Sequence, residues 1–147
     1  MQSRRKPLNV DTYTAHDASG KQTVLKLLKQ LGIEAEENPD RYGVDILGKS
    51  VDNTWEVEKR PKWVDEWPYR NPMGHLTVHI PNRKTKFFQP SMIYAVVNRN
   101  LNTVMFCSSV IISKYKQEEV PNTEVASGEY FYDVPLSEWQ VYDMAII

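Results

Sequence analysis

Three acidic side chains, Asp45, Glu56 and Glu58, have types and spacing that suit metal-ion chemistry. They lie in two runs of alternating apolar and polar residues around the turn-forming residues 51–53, a pattern typical of a β-hairpin. Because successive side chains of a strand point to opposite faces, Glu56 and Glu58 share one face, and pairing of the two strands brings Asp45 to them. Carboxylates at one place repel one another, and Mg²⁺ or Mn²⁺ removes that repulsion by binding them. The segment therefore predicts a divalent metal site. The alternative is an ordinary surface hairpin, because acidic residues are common on the exposed face of an edge hairpin and this spacing is a loose pattern.

The order of an Asp, a hairpin turn and then Glu-x-Glu on the second strand resembles the PD-(D/E)xK nuclease superfamily, in particular its small phage-type and resolvase-type members. The resemblance covers the helix, strand and hairpin of residues 1–60 and is looser beyond them. It departs from the usual pattern twice, since residues 42–44 read Tyr-Gly-Val where Pro is common, and Glu58 replaces the usual Lys. Some restriction endonucleases of the superfamily carry Glu-x-Glu here and are active.

This resemblance implies a fold, an activity and a set of site residues. The fold is a restriction-endonuclease-like α/β domain, and the activity is metal-dependent endonucleolytic hydrolysis of DNA phosphodiester bonds, in many members by a homodimer. Asp45, Glu56 and the backbone carbonyl of Val57 would hold Mg²⁺ or Mn²⁺, while Glu58 would orient or deprotonate the attacking water or bind a second ion. The first helix often adds an acid to the metal site, which here is Asp17, with capping of that helix as the alternative.

A positive charge is needed to stabilise the transferring phosphoryl group, and Glu58 stands where the superfamily has its Lys. The basic residues that follow the strand LTVHI lie close to a strand end. We expect Lys84 or Lys86 to supply this charge. Lys59 is a weaker candidate because it faces away from Glu58.

Charge is unevenly distributed along the chain. Residues 1–116 hold all 18 Lys and Arg with 12 acids, a balance of +6, whereas residues 117–147 hold 7 acids and no base. A basic body suits a phosphate backbone, although a fluctuation of solvated surface charge explains the asymmetry equally well. Basic side chains of the arm at residues 1–9, of the hairpin end and of the segment after LTVHI are the predicted DNA contacts. They are Arg4, Arg5, Lys59, Arg60, Lys62 and Arg83.

The segment after the hairpin, residues 60–75, is rich in Pro and aromatic residues. Trp63 and Trp67 alternate with basic residues there, which is compatible with a surface that stacks on bases and contacts phosphates. The alternative interpretation is that the tryptophans cap the hydrophobic core. His75 and His79 have no spacing typical of zinc and are equally well explained as ordinary surface or strand residues.

Composition sets the outer bounds. A chain of 147 residues with 41% hydrophobic content predicts one folded domain with a substantial core. The single cysteine, Cys107, excludes an internal disulfide and fits a reducing cytoplasm, and its apolar neighbours indicate a core position. No apolar run is long enough for a membrane span or a secretory signal, so we expect a cytoplasmic protein.

The periodicity predicts a single α/β domain with a central mixed β-sheet and a helix on each side. A first helix is expected from Asp17 or Ser19 to Leu31, with Gly32 as its stop, and then a polar loop up to the hairpin. Further strands are expected at LTVHI, MIYAVVN, TVMFCSS and EYFYDVP, with a polar loop before the last of them. VIISKYK fits a short helix or a strand, and Ser137 is expected to cap a final helical turn.

Two other functions are compatible with these residues. A catalytically inactive nucleic-acid-binding module would have the same basic body and no metal at the carboxylates. A phage-type protein-interaction factor would use the aromatic segment and the acidic C-terminal region.

Overall fold

The spacing of leucine and valine residues favours a long helix in the first third of the described chain. The computed structural model of this protein describes residues 10–115, 117–120 and 129–145, and it describes their side chains except at 10–17, 83, 117–120 and 129. In chain order the helices and strands are α1 (Val10–Gln30), β1 (Ala35–Glu37), β2 (Ile46–Gly48), β3 (Thr54–Arg60), β4 (Thr77–Pro81), β5 (Met92–Asn98), β6 (Thr103–Ser108), α2 (Ser109–Ile112), β7 (Gln117–Val120), β8 (Glu129–Pro135) and β9 (Gln140–Asp143).

Helix α1 ends as predicted but begins earlier. Gly32 adopts φ +79 directly after the helix, a conformation that glycine accepts without strain. The predicted start at Asp17 or Ser19 is wrong, because both residues lie inside α1. Residues 10–18 contain no proline or glycine, and extending an existing helix costs far less than starting one, so the helix continues beyond its apolar stripe.

Six strands form the central mixed sheet, in the order β1-β2-β3-β5-β6-β9. Strands β2 and β3 form the predicted antiparallel hairpin, with Ile46 opposite Trp55. Strand β5 is parallel to β3, and the remaining neighbours are antiparallel. The hairpin of β5 and β6 is confirmed, and its strands are almost wholly buried at the centre of the sheet.

One face of this sheet packs on α1. The helix places Val24, Leu27 and Leu28 against apolar side chains of β3, β5 and β6, and all three are fully buried. Helix and sheet approach closely at Gly20, where a Cβ atom would lie 3.4 Å from Val57 Cγ1. This approach fixes α1 over β3, the strand that holds two of the three predicted carboxylates.

The other face packs on a small sheet of the order β4-β8-β7, rather than on a second helix as predicted. Val78 and Ile80 of β4 and Val134 of β8 join the core with the inner side chains of β5 and β6. The only helix near this face among the described residues is the single turn α2, whose N-terminus is capped by the Ser108 hydroxyl. The result is a mixed α/β domain of three layers, helix, large sheet and small sheet.

Three short strands lie where loops or a helical turn were predicted. Strand β1 lies within the predicted polar loop, β7 within the polar segment before EYFYDVP, and β9 in the predicted final helical turn. Ser137 lies inside a 3₁₀ turn, Leu136–Glu138, and does not cap it. Such strands contain three or four residues, and they are held by pairing with a neighbour rather than by their own pattern. In the described part of the chain no helix is both long and apolar enough to cross a membrane.

Candidate metal and phosphate site

Asp45 and Glu56 meet at the end of the β2–β3 hairpin. Ile46 pairs with Trp55, so the next position along each strand places Asp45 opposite Glu56. The Val57 amide donates a hydrogen bond of 2.8 Å to Asp45 Oδ2, which orients the Asp45 carboxylate along β3. The backbone amide of Asn38 donates to the backbone carbonyl of Asp45 over 3.0 Å, which fixes the backbone at Asp45. Lys21 of α1 also approaches, with Nζ 3.9 Å from Asp45 Oδ1.

Glu56 is buried with one carboxylate oxygen paired and the other not. It is 4% exposed, and Lys84 Nζ donates to its Oε2 over 2.8 Å. No donor from the described residues reaches its buried Oε1. Burial and the nearby Asp45 charge raise the pKa of Glu56 from 4.5 to about 7, and Lys84 opposes this only in part. Two carboxyl groups thus lie together in a place where the ionised form of one is disfavoured.

Lys84 reaches Glu56 from the 3₁₀ turn Asn82–Phe87, which directly follows β4. Because Lys84 follows a strand of the small sheet and Glu56 lies on β3 of the large sheet, their contact joins the two sheets. Lys86 is exposed, and its Nζ lies 5.0 Å from the centre of the Phe87 ring. Of the two predicted lysines, Lys84 is therefore the one that contacts a predicted carboxylate, while the Arg83 side chain lies outside the described residues.

Glu58 shares the face of Glu56 but has different partners. Arg60 donates two hydrogen bonds to it, from Nε to Oε2 over 2.7 Å and from Nη2 to Oε1 over 2.9 Å. The Tyr94 hydroxyl donates a third, of 2.5 Å, to Oε1. Burial alone would raise the pKa of Glu58, but the Arg60 charge and these hydrogen bonds hold it below its usual value. Burial and the Glu58 charge raise the pKa of Tyr94 well above its usual value.

The prediction that three carboxylates converge is wrong, because Asp45 and Glu56 come together while Glu58 pairs with Arg60. Within the described residues, no group of three or more His, Cys, Asp or Glu side chains is placed to hold a metal ion. The reason is Arg60, which turns Glu58 away by pairing with both of its oxygens. Asp17 lies in α1, and its side chain is outside the described residues.

Arg60 is a structural residue rather than a surface cation. Its side chain is 12% exposed, and Nη2 also donates to the His79 carbonyl over 2.8 Å. Its guanidinium lies 5.8 Å from the ring centres of both Trp67 and Tyr69. The prediction that it contacts DNA is therefore wrong, because a phosphate would have to displace these partners.

The aromatic segment caps the core, which is the alternative that the sequence left open. Trp63 and Trp67 are 3% and 8% exposed and pack edge to face with ring centres 5.2 Å apart. Lys62, directly before Trp63, is exposed. Lys59 lies on the α1 side of β3, so the prediction that it faces away from Glu58 is confirmed. The predicted DNA contacts Arg4 and Arg5 lie outside the described residues.

The environments of His79 and Cys107 are structural. His79 Nε2 lies 3.1 Å from Asp133 Oδ1 on the small sheet, away from Glu56. Burial raises the pKa of the Cys107 thiol to about 12, so it stays protonated and unreactive at neutral pH. The interpretation of Cys107 as a core residue agrees with this environment.

Sequence reasoning missed Lys21 and Tyr94. Lys21 lies seven residues before Leu28, on the same side of α1, so the helical period contained a signal for its position. Tyr94 is brought beside Glu56 and Glu58 by the parallel pairing of β3 with β5, which places it opposite Glu56. Its position depends on a pairing between distant segments, and no local pattern indicates it.

A divalent cation fits the pair of Asp45 and Glu56. Both are hard oxygen ligands, one buried Glu56 oxygen accepts no hydrogen bond from the described residues, and the two charges repel each other. Comparison of this chain with models of known protein families and with curated proteins finds no match. Function is therefore inferred from the geometry of this site.

Proposed function

We propose that this protein is a metal-dependent DNA endonuclease with a restriction-endonuclease-like fold, a distant relative of the PD-(D/E)xK nucleases. The observation that carries the proposal is the joint placement of Asp45, Glu56 and Lys84. Two acids from a hairpin and one lysine from a separate segment meet at one buried point, with one Glu56 oxygen left without a donor among the described residues. The antiparallel hairpin beside a parallel strand, with α1 packed on it, supports the fold assignment.

Asp45 and Glu56 would hold Mg²⁺ or Mn²⁺, together with the backbone carbonyl of Val57. A metal ion bound there polarises the phosphate and lowers the pKa of a bound water. The chain itself contributes orientation, because the Val57 amide fixes one Asp45 oxygen and leaves the carboxylate directed along β3. The repulsion that raises the pKa of Glu56 is also what favours a cation at this point.

Lys84 would take the place of the lysine that Glu58 replaces in the sequence motif. Its ammonium group already contacts Glu56, and it is 25% exposed, so a phosphate oxygen has access to it. A fixed cation beside the phosphate stabilises the charge that develops on the transferring group. Glu58 has a supporting role in this proposal, since Arg60 and Tyr94 bond both of its oxygens.

DNA is the proposed substrate because residues 1–116 carry a net positive charge and basic side chains near the hairpin end, such as that of Lys62, are exposed. We further propose that the protein acts in the cytoplasm and that two copies associate, as in many members of the superfamily. Sedimentation with and without duplex DNA tests the homodimer.

Cleavage of plasmid and of single-stranded DNA with Mn²⁺ or Mg²⁺ tests the activity. We expect Asp45→Asn, Glu56→Gln and Lys84→Ala each to lower the rate by about 100-fold or more, the range for removing one group that stabilises developing charge. Lys86→Ala is the matched control, since it removes a lysine of the same turn that makes no contact with Glu56, and it should cleave normally. Equal rates in wild type and all variants would contradict the proposal.

Calorimetric titration with Mn²⁺ separates an enzyme from a binding module. Wild type should bind the ion and release protons from Glu56 near pH 7, whereas Glu56→Gln should bind more weakly and release fewer protons. DNA binding without any binding of Mn²⁺ would favour the inactive module.

A further inference from the structure

A short loop, residues 38–44, leads directly into Asp45 and presents an exposed tyrosine. Tyr42 is 79% exposed. Tyr130, the other exposed tyrosine among the described residues, is 51% exposed. Single exposed apolar residues are normal on protein surfaces, so exposure alone assigns no role. However, Tyr42 is three positions before Asp45, a proposed metal ligand, so a group that contacts its ring lies near the proposed metal site.

The loop is held in place rather than left loose. Asp40 organises its centre, because its carboxylate accepts from the Tyr42 amide over 3.0 Å and its carbonyl accepts from the Gly43 amide over 3.1 Å. Asn38 closes the loop by donating from Nδ2 to the Val44 carbonyl over 3.0 Å. A Cβ atom at Gly43 would lie 2.7 Å from Asn38 Nδ2, so a larger residue would force this closure open. The backbone beneath Tyr42 is therefore fixed with respect to Asp45.

The ring has a cation beside it. The Arg41 guanidinium carbon lies 5.4 Å from the centre of the Tyr42 ring, and both residues are exposed. An aromatic face with an adjacent Arg is the combination that single-stranded nucleic acids bind, with the base on the ring and the phosphate near the cation.

Distance limits where on the substrate this contact falls. Tyr42 is three positions before Asp45, so their Cα atoms are at most about 11 Å apart, a span of about three nucleotides at the rise of about 3.4 Å in a stacked strand. A base on the Tyr42 ring therefore belongs to a nucleotide a few positions from a phosphate at Asp45.

We propose that Tyr42 stacks on an unpaired base beside the scissile phosphate, and that the preferred substrate is DNA that is single-stranded there. This rests on the proposed nuclease function. In an intact duplex the base faces are covered by their neighbours and cannot reach the ring.

Binding to two oligonucleotides of equal length tests the stacking without any cleavage. One is oligo-dT and the other is the same backbone with every base removed, both measured by fluorescence anisotropy in the absence of divalent cations. Wild type should bind oligo-dT about 5- to 100-fold more tightly than the abasic strand. Tyr42→Ala should lose this difference, whereas Tyr42→Trp should retain it.

Tyr130→Ala is the matched control, because it removes another exposed tyrosine from the small sheet and should bind as wild type does. The inference is overturned if Tyr42→Ala retains the preference for oligo-dT, or if duplex DNA of the same length binds wild type more tightly than oligo-dT.

Cleavage assays then separate this inference from the proposed function. If wild type cuts with Mn²⁺, single abasic positions should slow it only within about three nucleotides of the cut. Cutting that is insensitive to Tyr42→Ala would leave the nuclease standing and overturn the stacking. Absence of cutting with a Tyr42-dependent base preference would overturn the nuclease and leave the tyrosine as a base contact.

Discussion

Glu56 and Glu58 lie two residues apart on one face of one strand, and each is paired with a basic side chain, yet their environments differ. Arg60 and Tyr94 saturate the carboxylate of Glu58, and its pKa is lowered. Among the described residues, Lys84 donates to one oxygen of Glu56 and none donates to the other, and burial and the Asp45 charge raise the pKa of Glu56 to about 7. A saturated ion pair stabilises structure, whereas an unsaturated acid beside another acid has capacity for a ligand. The difference favours Glu56 as the ligand position of the proposed site and Glu58 as a structural residue beside it.

The largest expected effect comes from breaking the saturated pair. Arg60→Met leaves Glu58 partly buried without its cation and should lower the free energy of unfolding by about 3–5 kcal/mol. Urea unfolding followed by tryptophan fluorescence measures this. The double variant Glu58→Gln with Arg60→Met should recover part of the loss, since no unpaired charge is left. A loss below 1 kcal/mol, on the scale of an exposed ion pair, would contradict the assignment of this pair as structural.

Glu56→Gln should have the opposite sign and stabilise the protein. The folded-state pKa of about 7 exceeds the usual 4.5, so between these values the folded protein binds more protons and its stability falls as pH rises. We expect the variant to gain about 2–3 kcal/mol at pH 8 and under about 1 kcal/mol at pH 5. Thermal and urea unfolding at both pH values measure the gain, and Mn²⁺ should reduce it by stabilising wild type more than the variant. A gain that is the same at both pH values would show that Glu56 titrates normally.

Tyr94→Phe removes one hydrogen bond from the saturated pair and retains the ring. Tyr94 is fully buried, so its hydroxyl has no solvent as an alternative partner. The loss should be about 1.5–2 kcal/mol, the range for a hydrogen bond to a charged group, and unfolding in urea measures it. Tyr132→Phe on the small sheet is the matched control. An equal loss in both variants would mean that the bond to Glu58 is not special.

Lys84→Met should cost least, at most about 1 kcal/mol near pH 6, because Glu56 takes up a proton once its cation is removed. The cost should grow above pH 7, where protonation is harder to achieve. Lys86→Met, in the same turn, should show no such pH dependence. A cost like that of Arg60→Met would erase the contrast between the two pairs.

Part of this arrangement was predictable from the sequence. Alternation around residues 51–53 predicted the hairpin, and strand geometry then placed Asp45 beside Glu56 and turned Lys59 away. The same two-residue period places Glu58 and Arg60 on one face of β3, so their pairing was also predictable from the sequence. Strand alternation therefore carried most of the information about this site.

The remainder depends on contacts between distant segments. The choice of Lys84 over Lys86 depends on a 3₁₀ turn that has no capping hydrogen bond from a side chain. The small sheet in place of a second helix depends in part on β7, a short strand that is stabilised by its pairing with β8 rather than by its own pattern. Either a helix or a small sheet can cover an apolar face, so the apolar residues of the large sheet do not indicate which of the two packs on them.

Lys84 and Glu56 are 28 residues apart and belong to segments on different sheets. Their contact forms only after the two sheets have docked, which makes it a late event in folding, since contacts between distant segments require loop closure first. A chain whose small sheet has opened would keep its hairpin and both acids but would lack the lysine. For the nuclease function proposed above, activity would therefore require that both sheets are assembled, and a partly folded chain would lack it.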